Sequence, residues 1–363
     1  MSNMLEELEV RIEQVSARKM SVPLAFHTVA AGIGLAFLLT SASLAADGCD
    51  VKPRTAHVVN VRDTGAKGDG KTDDTDAIAA AIKAVAGTGG TVLVPKGTYM
   101  VEAVDEKRQL KLGSDMTLRL EVGATLKVIP NAAIKYDLLT IANVSDVTVV
   151  GGTLEGDRKE HQGKGGEWGM GIRIMRDASN ITVSGVTSKK MWGDGFYVKG
   201  AKNVKFCGVT ADLNRRQGLS VVSVDGLLVV NSVFMNTRGT RPSAGIDLEP
   251  NKATQTISDV RIERSKFLDN EGPGILIAGK KATIANVDIA RNLFRGNRPL
   301  LVENAPAVLA SDICRNRQVT YQEQQSAALN PFSAPVEVIV SQSDCENSGL
   351  EVRRDTKKKK PRP

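Results

Sequence analysis

The sequence contains few histidine and few aromatic residues, and each shortage excludes a class of function. Only three histidines, His27, His57 and His161, occur in 363 residues. A histidine-rich metal site or a Ser-His-Asp triad therefore has little to be built from. Phe, Trp and Tyr together make up 4% of the chain. That is too few for the stacking platforms that bind nucleic acid bases, so we predict no nucleic-acid partner.

The positive charge of the chain is concentrated at its C-terminus. The formal net charge is +7, from 48 Lys and Arg residues against 41 Asp and Glu residues. Residues 351–363 alone contain seven basic and two acidic residues, and we predict that this tail is disordered. The high isoelectric point therefore describes the tail and does not indicate a basic groove in the body of the protein.

The N-terminal region has the pattern of a secretory signal. Residues 29–39 form the strongest apolar run, Arg18 and Lys19 precede it, and residues 43–45 are Ser-Leu-Ala. We predict cleavage after Ala45 and export to the periplasm or the medium, with no membrane contact in the mature protein. An uncleaved single-pass anchor is the alternative, although the run is short for a span of about 20 residues.

Export permits disulfide bonds among the four cysteines. Cys314 and Cys345 lie near each other in the C-terminal region, and we expect that they can pair. The positions of Cys49 and Cys207 do not decide their state, because pairing cannot be deduced from four positions alone.

A repeat in the middle of the chain predicts the fold. Five short apolar segments begin at Ile172, Phe196, Leu219, Ile246 and Ile275, and each is immediately preceded by glycine. Their starting points are 23 to 29 residues apart. We expect glycine at these places because a sharp turn into a strand needs backbone angles that other residues avoid. The fixed leucine and asparagine spacing of a leucine-rich repeat is absent from the sequence.

Within each segment the first and third residues are apolar, which is the alternation of a β-strand with one buried face. Second strands follow, as in residues 180–183 and 203–206. One coil of short strands in each repeat, stacked about 4.8 Å from the next, is a parallel β-helix. The fold class predicted is therefore an all-β solenoid, a single-stranded right-handed parallel β-helix.

An amphipathic helix is predicted upstream of the repeat. Acidic residues at 73–76 precede the alanine-rich stretch 77–85, and this helix would cover the open end of the solenoid. The domain layout predicted is a signal peptide at 1–45, a β-helix domain at 46–350 and the disordered tail at 351–363. Within the domain we place a cap at about 57–100, coils at about 101–310 and a closing region at about 311–350.

Two runs of sequence carry a resemblance to a known family. Residues 63–78 (DTGAKGDGKTDDTDAI) and 89–99 (GGTVLVPKGTY) resemble the N-terminus of the pectate-lyase-like superfamily, in its rhamnogalacturonase, polygalacturonase and epimerase-like branch. The resemblance covers about residues 57–300 and implies the same β-helix. It says much less about chemistry, because this fold carries hydrolases, lyases, epimerases and phage tailspikes.

The chain departs from the polygalacturonase pattern at the residues that matter for catalysis. Asp194 matches the second of the paired aspartates of that family, but Gly193 replaces the first. Met170 stands where another aspartate is expected one coil earlier, and Gln217 replaces the histidine one coil later. Residues 245–251 (GIDLEPN) replace a basic motif with acidic residues. The resemblance therefore does not imply a straightforward polygalacturonase.

Strand phase suggests a different set of catalytic residues. If Ile246 and Leu248 point inward, Asp247 and Glu249 point outward, about 7 Å apart along one strand. Asp194 is expected at the edge of a coil two repeats earlier. Carboxyl pairs at such separations cleave glycosidic bonds, one as the acid and the other as the base or nucleophile. We predict Asp194, Asp247 and Glu249 as the catalytic set.

Seven further side chains are predicted on the same surface, as substrate-binding residues. They are Arg215, Arg216, Gln217, Tyr197, Lys199, Trp168 and Trp192. An arginine suits an acidic sugar, and tryptophan suits a sugar face. Each also has an ordinary interpretation, because outward carboxylates are most often only solvated and Trp192 taken alone is suited to packing.

Three functions remain open for this surface. Hydrolysis of an acidic or pectin-like polysaccharide is the first, and it needs neither a cofactor nor a metal. A lyase or uronan C5-epimerase is the second, in which Tyr197, Lys199 and Arg216 act near C5 and acidic residues hold Ca²⁺. The third is a non-catalytic glycan-binding β-helix. We expect a polysaccharide partner in each case, and the sequence does not indicate an oligomeric state.

Overall fold

A computed structural model describes residues 48–49, 51, 57–279, 282–303, 308–309, 312–314, 317–322 and 336–342, with backbone alone from residue 298 onward. The predicted signal peptide and basic tail lie outside these ranges. No helix within them is long and apolar enough to cross a membrane.

Short strands make up most of the described chain. In chain order they are β1 (Val58–Asn60), β2 (Asp69–Asp73), β3 (Thr91–Val94), β4 (Gly97–Val101), β5 (Leu110–Lys111), β6 (Met116–Leu120), β7 (Ala124–Val128), β8 (Lys135–Ala142), β9 (Ser145–Val150), β10 (Thr153–Glu155), β11 (Trp168–Ser184), β12 (Thr187–Lys189), β13 (Phe196–Cys207), β14 (Thr210–Asp212), β15 (Leu219–Val230), β16 (Val233–Met235), β17 (Ile246–Leu248), β18 (Thr256–Glu263), β19 (Lys266–Leu268), β20 (Pro273–Ala278), β21 (Thr283–Ala290), β22 (Leu293–Arg295), β23 (Arg298–Glu303), β24 (Val308–Leu309), β25 (Asp312–Cys314), β26 (Arg317–Gln322) and β27 (Val336–Gln342). One α-helix, α1 (Thr75–Val85), lies between β2 and β3.

The strands form three parallel ladders that run along the solenoid. The site ladder contains β8, β11, β13, β15, β17, β20 and β23 in that order. The long strands β11, β13 and β15 bend, and their second halves enter a second ladder with β9, β18 and β21. The third ladder runs from β2 to β26, where β27 pairs antiparallel. The predicted right-handed parallel β-helix is confirmed.

The five apolar segments found in the sequence lie in one register. Ile172, Phe196, Leu219, Ile246 and Ile275 are successive partners across the site ladder, and all five are fully buried. Because side chains alternate along a strand, this register fixes every intervening residue on the outer face. The period of the sequence thus determines which residues can form a site.

Aromatic residues fill the interior in a column. Phe234, Phe267 and Phe294 are register partners on the third ladder, and their rings stack with centroids 5.5 and 4.9 Å apart. Phe196 and Phe206 pack at 5.1 Å in the same core. Phe234, Phe267 and Phe294 therefore stack one coil on the next, whereas Phe196 and Phe206 pack within one coil.

Glycine is required at the start of each segment for a different reason from the one predicted. None of the glycines that precede the five segments has a positive φ angle, so a strained turn is not what they provide. A Cβ atom on Gly218 would lie 2.4 Å from the carbonyl oxygen of Gly245, and one on Gly195 would lie 2.7 Å from that of Gly218. Glycine is needed because the backbones of neighbouring coils approach closely.

Asparagine and aspartate occupy a kink within the strands of the second ladder. Asn180, Asn203, Asp259 and Asn286 have φ angles of 56°, 51°, 54° and 53°, in the left-handed region that these residues tolerate. Asn203 donates to the side chain of Asn180 at 3.2 Å, and Asn286 donates to Asp259 at 2.9 Å. These polar side chains therefore hydrogen-bond to one another from one coil to the next at these positions.

The predicted capping helix is present at the N-terminal end. Helix α1 buries Ile78, Ile82 and Val85 against the first coils. The side chain of Asp74, the residue that precedes the helix, makes no capping bond and accepts hydrogen bonds from the backbone of Lys67 and Gly68 instead. The helix covers apolar side chains that would otherwise face water at the end of the solenoid.

A disulfide bond joins Cys49 to Cys207, with 5.9 Å between their Cα atoms. Lys205 Nζ donates to the carbonyl oxygen of Gly48 at 2.8 Å, so the segment around Cys49 is fastened to the second ladder. The sequence left these two cysteines undecided. The expected pairing of Cys314 and Cys345 lies outside the residues whose side chains are described.

Candidate active site

A row of polar side chains crosses the outer face of the site ladder. Arg173, Tyr197, Ser220 and Asp247 are register partners on β11, β13, β15 and β17. Each follows an inward apolar residue, which turns its own side chain away from the core. Neighbouring coils are about 4.8 Å apart, so the row spans about 15 Å.

This row forms the floor of a pocket of about 240 Å³. The polar and aromatic residues that define it are Trp168, Arg173, Tyr197, Arg216, Asp247 and Glu249. Trp168 is 45% exposed and stands at its edge. A concave site with convergent charged groups and an exposed aromatic side chain is suited to a small polar ligand such as a sugar unit.

Asp247 is the most perturbed acid of the pocket. The residue is 1% exposed, and burial, followed by the charge of Glu249, raises the pKa of Asp247 well above its ordinary value. Its Oδ2 atom accepts a hydrogen bond from Gln217 Nε2 at 2.8 Å, whereas no described donor reaches Oδ1. A proton on Asp247 would lower the cost of burying this carboxyl beside the half-buried Glu249.

Asp194 lies beneath the pocket and does not line it. The residue is fully buried, and its Oδ2 atom accepts hydrogen bonds from Ser220 Oγ at 2.8 Å and from Arg216 Nη1 at 3.1 Å. Burial raises the pKa of Asp194 to about 6, and the positive charge of Arg216 partly offsets that increase. Among the described residues, Arg216 and Ser220 are the side chains that both bond Asp194 and line the pocket.

Arg216 stands between the buried acid and the pocket. Its Nε atom faces Glu167 Oε1 at 3.9 Å, and its Nη1 atom contacts Asp194 and Ser220. Burial alone would lower the pKa of Arg216, but the carboxylates of Asp194 and Asp247 raise it. The guanidinium group remains charged and is aimed at the pocket.

A second arginine, which the sequence did not single out, lies at the other end of the row. Arg173 Nη1 donates to Asp137 Oδ2 at 3.1 Å, and its guanidinium carbon lies 5.3 Å from the centroid of the Tyr197 ring. Burial raises the pKa of Asp137 against the opposing charge of Arg173. Burial also raises the pKa of Tyr197. Lys135 adds a further cation to the lining.

Two of the predicted binding residues lie in a cluster beside the pocket. Trp192 stacks on His161 with ring centroids 4.0 Å apart, and the Arg215 guanidinium carbon lies 3.9 Å from the Trp192 ring centroid. Trp192 Nε1 donates to the carbonyl oxygen of Gly165, and Arg215 Nη1 donates to that of Gly166. These contacts fasten the loop that leads into Trp168.

The structure divides the ten predicted residues into four groups. The pocket is lined by Asp247, Glu249, Arg216, Tyr197 and Trp168. Asp194 and Gln217 support it from below, and Arg215 and Trp192 anchor the adjacent loop. Lys199 is exposed and does not belong to the lining. Within the described residues no group of three or more His, Cys, Asp or Glu side chains is arranged to hold a metal.

The sequence contained a signal for some of the residues that were missed. Arg173 and Ser220 occupy the second position of their segments, as Tyr197 and Asp247 do, so strand phase alone identifies them. Lys135 and Asp137 lie on a coil that precedes the first glycine-marked segment, and no sequence signal indicates them. Their place follows only from the pairing of β8 with β11.

Comparison with known proteins agrees with this architecture. The family model described as "Rhamnogalacturonase A/epimerase, pectate lyase-like" matches residues 58–113. A second model, described as "Right handed beta helix region", matches residues 167–294 and thus includes the pocket strands β11, β13, β15 and β17.

Three relatives illustrate the range of functions. The chain is 27% identical over 299 residues to the uncharacterized protein YclG of Bacillus subtilis (strain 168), covering 69% of this chain and 51% of the relative. It is 29% identical over 258 residues to an exopolygalacturonase of Arabidopsis thaliana, covering 70% of this chain and 48% of the relative. Over 150 residues it is 35% identical to the mannuronan C5-epimerase AlgE1 of Azotobacter vinelandii, covering 38% of this chain and 11% of the relative. The chain spans about half the length of the first two relatives.

The fold is also that of a solved structure. The family 28 exopolygalacturonase of Yersinia enterocolitica superimposes with a TM-score of 0.55 at 18% identity, covering 76% of this chain and 62% of that one. Together with the two family models, this likeness confirms the resemblance in the sequence. The chain is a right-handed parallel β-helix protein, and its residues 58–113 are similar to the rhamnogalacturonase A/epimerase, pectate lyase-like family.

Proposed function

We propose that this protein is an exported enzyme that hydrolyses glycosidic bonds in an acidic, pectin-like polysaccharide. The observation that carries the proposal is the pair Asp247 and Glu249, which lines one pocket with a buried member and a half-buried one. Glycosidases need two carboxyl groups whose environments favour different protonation states. The names of the polygalacturonase relatives support the choice of substrate class.

The two acids would divide the work according to their surroundings. Asp247, whose pKa burial raises well above its ordinary value, is the general acid that protonates the leaving oxygen. Glu249 is the base or nucleophile, because it is less buried and lines the same pocket directly after the strand that carries Asp247. With Glu249 as the base, the glycosidic bond breaks as Asp247 gives its proton to the leaving oxygen, while water adds its hydroxyl to the anomeric carbon and gives its proton to Glu249. Proton exchange with solvent then restores both carboxyl groups.

The cations of the pocket support an acidic substrate. Arg216 and Lys135 line the pocket on either side of Tyr197, and Arg173 lies beside that ring. A guanidinium group binds a carboxylate with charge-assisted hydrogen bonds, which suits a uronic acid unit. Trp168, whose exposed ring stands at the edge, is placed to stack on a sugar face.

Export is supported by the disulfide between Cys49 and Cys207. Structural disulfides persist in oxidising compartments and are rare in a reducing cytosol. The bond lies just after the predicted cleavage point at Ala45, so a mature chain would retain it. Expression with and without residues 1–45, followed by fractionation and N-terminal sequencing, tests export and the cleavage site together.

A second activity, C5 epimerisation or elimination on a uronan, is favoured by the likeness to the mannuronan epimerase. Both reactions need a base near C5. Tyr197 is the candidate on the floor, but burial raises its pKa, which makes the phenolate less available at neutral pH. Ca²⁺ bound by acidic residues remains a prediction of this alternative.

One assay separates these functions. The mature protein is incubated with polygalacturonate, rhamnogalacturonan and polymannuronate, with and without Ca²⁺, and three signals are recorded. Hydrolysis yields reducing ends without ultraviolet absorbance, elimination yields both, and epimerisation changes only the uronate proton spectrum. Binding without any product would indicate a glycan-binding protein and contradict the proposal. Glu249→Gln should abolish the product signal, whereas Lys199→Ala, outside the pocket, should retain it.

A further inference from the structure

Asp194 occupies the place of a family aspartate but has no access to a ligand. Its side chain is fully buried, and none of its atoms lines the pocket. The hydrogen bonds that its carboxylate accepts from side chains come from two residues that do line the pocket, Ser220 and Arg216. A group that reacts with substrate must reach it within hydrogen-bond distance, and this one is covered by its own partners.

Arg216 is held in place largely by Asp194. Its Nη1 atom makes three polar contacts, two with the Asp194 carboxylate and one with Ser220 Oγ, whereas Glu167 Oε1 is 3.9 Å from Nε. The side chain is 16% exposed, and that exposed part belongs to the pocket. Loss of the Asp194 charge would remove the only fully buried anion paired with this guanidinium.

We propose that Asp194 is a positioning residue, which holds Arg216 against the pocket so that Arg216 binds the anionic group of the sugar. This inference rests on the proposed function, since it assigns the substrate charge to Arg216. Asp194 contributes neither a proton nor a nucleophile to the reaction. Its effect on the ligand passes through Arg216 alone.

The charged groups around Arg216 agree with the separate roles proposed for Asp194 and Arg216. Asp247 and Glu249 face Arg216 from β17 and the residue that follows it, and Glu167 faces it from the adjacent loop. Tyr197 and Arg173 lie beyond on the floor. Without the Asp194 charge, the guanidinium would keep only Ser220 and the more distant Glu167 among these contacts, so it would no longer be held in one position for the ligand.

A double-mutant cycle tests the proposal. All variants carry Glu249→Gln so that ligand is bound and not cleaved, and calorimetry measures the affinity for trigalacturonate and trimannuronate. Asp194→Asn should weaken binding about 10-fold when Arg216 is present and less than about 2-fold when Arg216→Gln is also present. An equal loss in both backgrounds would overturn the proposal. Ser220→Ala, which removes one support of Arg216, should give a smaller loss of the same kind.

A kinetic arm separates positioning from catalysis. In the chain with Glu249 intact, Asp194→Asn should raise KM with kcat changed less than about 3-fold, whereas loss of a reacting acid lowers kcat by about 100-fold or more. A fall in kcat with unchanged KM would overturn the proposal and return Asp194 to the reacting groups.

A third measurement needs no carbohydrate ligand. Phenylglyoxal modifies accessible arginines, and mass spectrometry follows the peptide that contains Arg216. Asp194→Asn should speed modification of Arg216 several-fold and leave Arg173 unchanged. If neither trisaccharide binds, the proposed function fails, and this rate still decides whether Asp194 holds Arg216. An unchanged rate, with circular dichroism showing an intact fold, would overturn the positioning role.

Discussion

The side-chain amide of Gln217 holds Asp247 in place, donating from Nε2 to Oδ2 at 2.8 Å while Oε1 accepts from the Ala244 backbone at 2.8 Å. The amide is therefore fixed at both ends and presents a donor to the buried acid. A donor bonded to a carboxylate favours its charged form, so Gln217 opposes the burial that raises the pKa of Asp247.

Removal of this donor should move the alkaline limb of the pH–rate profile. In Gln217→Leu the pKa of Asp247 should rise further, so the acid stays protonated to a higher pH and activity on the chosen glycan declines later. The measurement is kcat against pH for the wild-type protein, Gln217→Leu and the control Lys199→Ala. A limb that stays in place in Gln217→Leu would show that Asp247 is not the acid that controls it.

The two tryptophans should respond in opposite ways. Trp168→Ala removes an exposed ring from the pocket edge, so KM should rise about 10-fold while the melting temperature stays unchanged. Trp192→Ala removes the ring stacked between loop and coil, so the free energy of unfolding should fall by about 1–3 kcal/mol. Thermal unfolding and steady-state kinetics of both variants check the pair. Equal losses of stability would contradict the distinction between a pocket wall and an anchor.

Glycine at the start of each coil should be irreplaceable where backbones meet. A Cβ atom on Gly218 would lie 2.4 Å from the Gly245 carbonyl oxygen, so Gly218→Ala must push two coils apart. We expect a loss of about 3 kcal/mol in the free energy of unfolding, at the upper end of overpacking effects. Gly165→Ala is the matched control, because its nearest neighbour, Ile134, is 3.9 Å away and its φ is not positive. Urea denaturation that gave both variants one midpoint would disprove the close-approach argument.

The Cys49–Cys207 disulfide should contribute stability without affecting the pocket. It closes a sequence separation of 158 residues and attaches to the second ladder, away from the site ladder. The free energy of unfolding of Cys49→Ser/Cys207→Ser should be about 2–5 kcal/mol lower than that of the wild-type protein, because the unfolded chain is no longer constrained. Urea titrations with and without reductant measure the effect. Reductant should lower the midpoint of the wild-type protein at least as far as that of the double variant, because it would also reduce the predicted Cys314–Cys345 pair, and the double variant should keep the wild-type kcat on the chosen glycan.

The sequence predicted the fold because a β-helix needs inward apolar residues that recur at the length of one coil. Ile172, Phe196 and Leu219 recur at the coil length, and register then fixes their neighbours. Strand phase was enough to place Tyr197 and Asp247 on one surface. A repeating fold thus makes the outward positions of distant residues readable from the core pattern alone.

The rest of the site could not be read in this way because it depends on turns and on burial. Arg215 and Arg216 are neighbours in sequence, yet one fastens a loop and the other reaches the pocket. Asp194 and Asp247 both follow the repeat, but only side-chain packing decides that Asp194 is sealed beneath Arg216. Lys135 enters the site through a coil that carries no glycine marker. The repeat period identifies which residues point to the outer face, whereas the burial of each of their side chains depends on three-dimensional packing.

Burial of Asp194 should give stability a specific dependence on pH. Burial raises its pKa from the ordinary 3.8 to about 6, so between these values the folded protein binds a proton that the unfolded chain has released. The free energy of unfolding must therefore fall as pH rises through this window, and the contribution of Asp194 is greatest below pH 4. A rise of about two in the pKa of Asp194 corresponds to a loss of about 3 kcal/mol in the free energy of unfolding by pH 7.

Asparagine at position 194 cannot titrate. The free energy of unfolding of Asp194→Asn should therefore increase relative to that of the wild-type protein as pH rises from 4 to 7. Urea denaturation at half-unit intervals measures the difference between the two curves. Asp69→Asn is the control, because the backbone amides of Thr72 and Lys71 lower the pKa of the exposed Asp69 to about 2. The stability that Asp69 contributes is lost only as pH falls toward 2, so the control curve should parallel the wild type above pH 4. A parallel curve for Asp194→Asn would mean that Asp194 keeps an ordinary pKa in the folded protein.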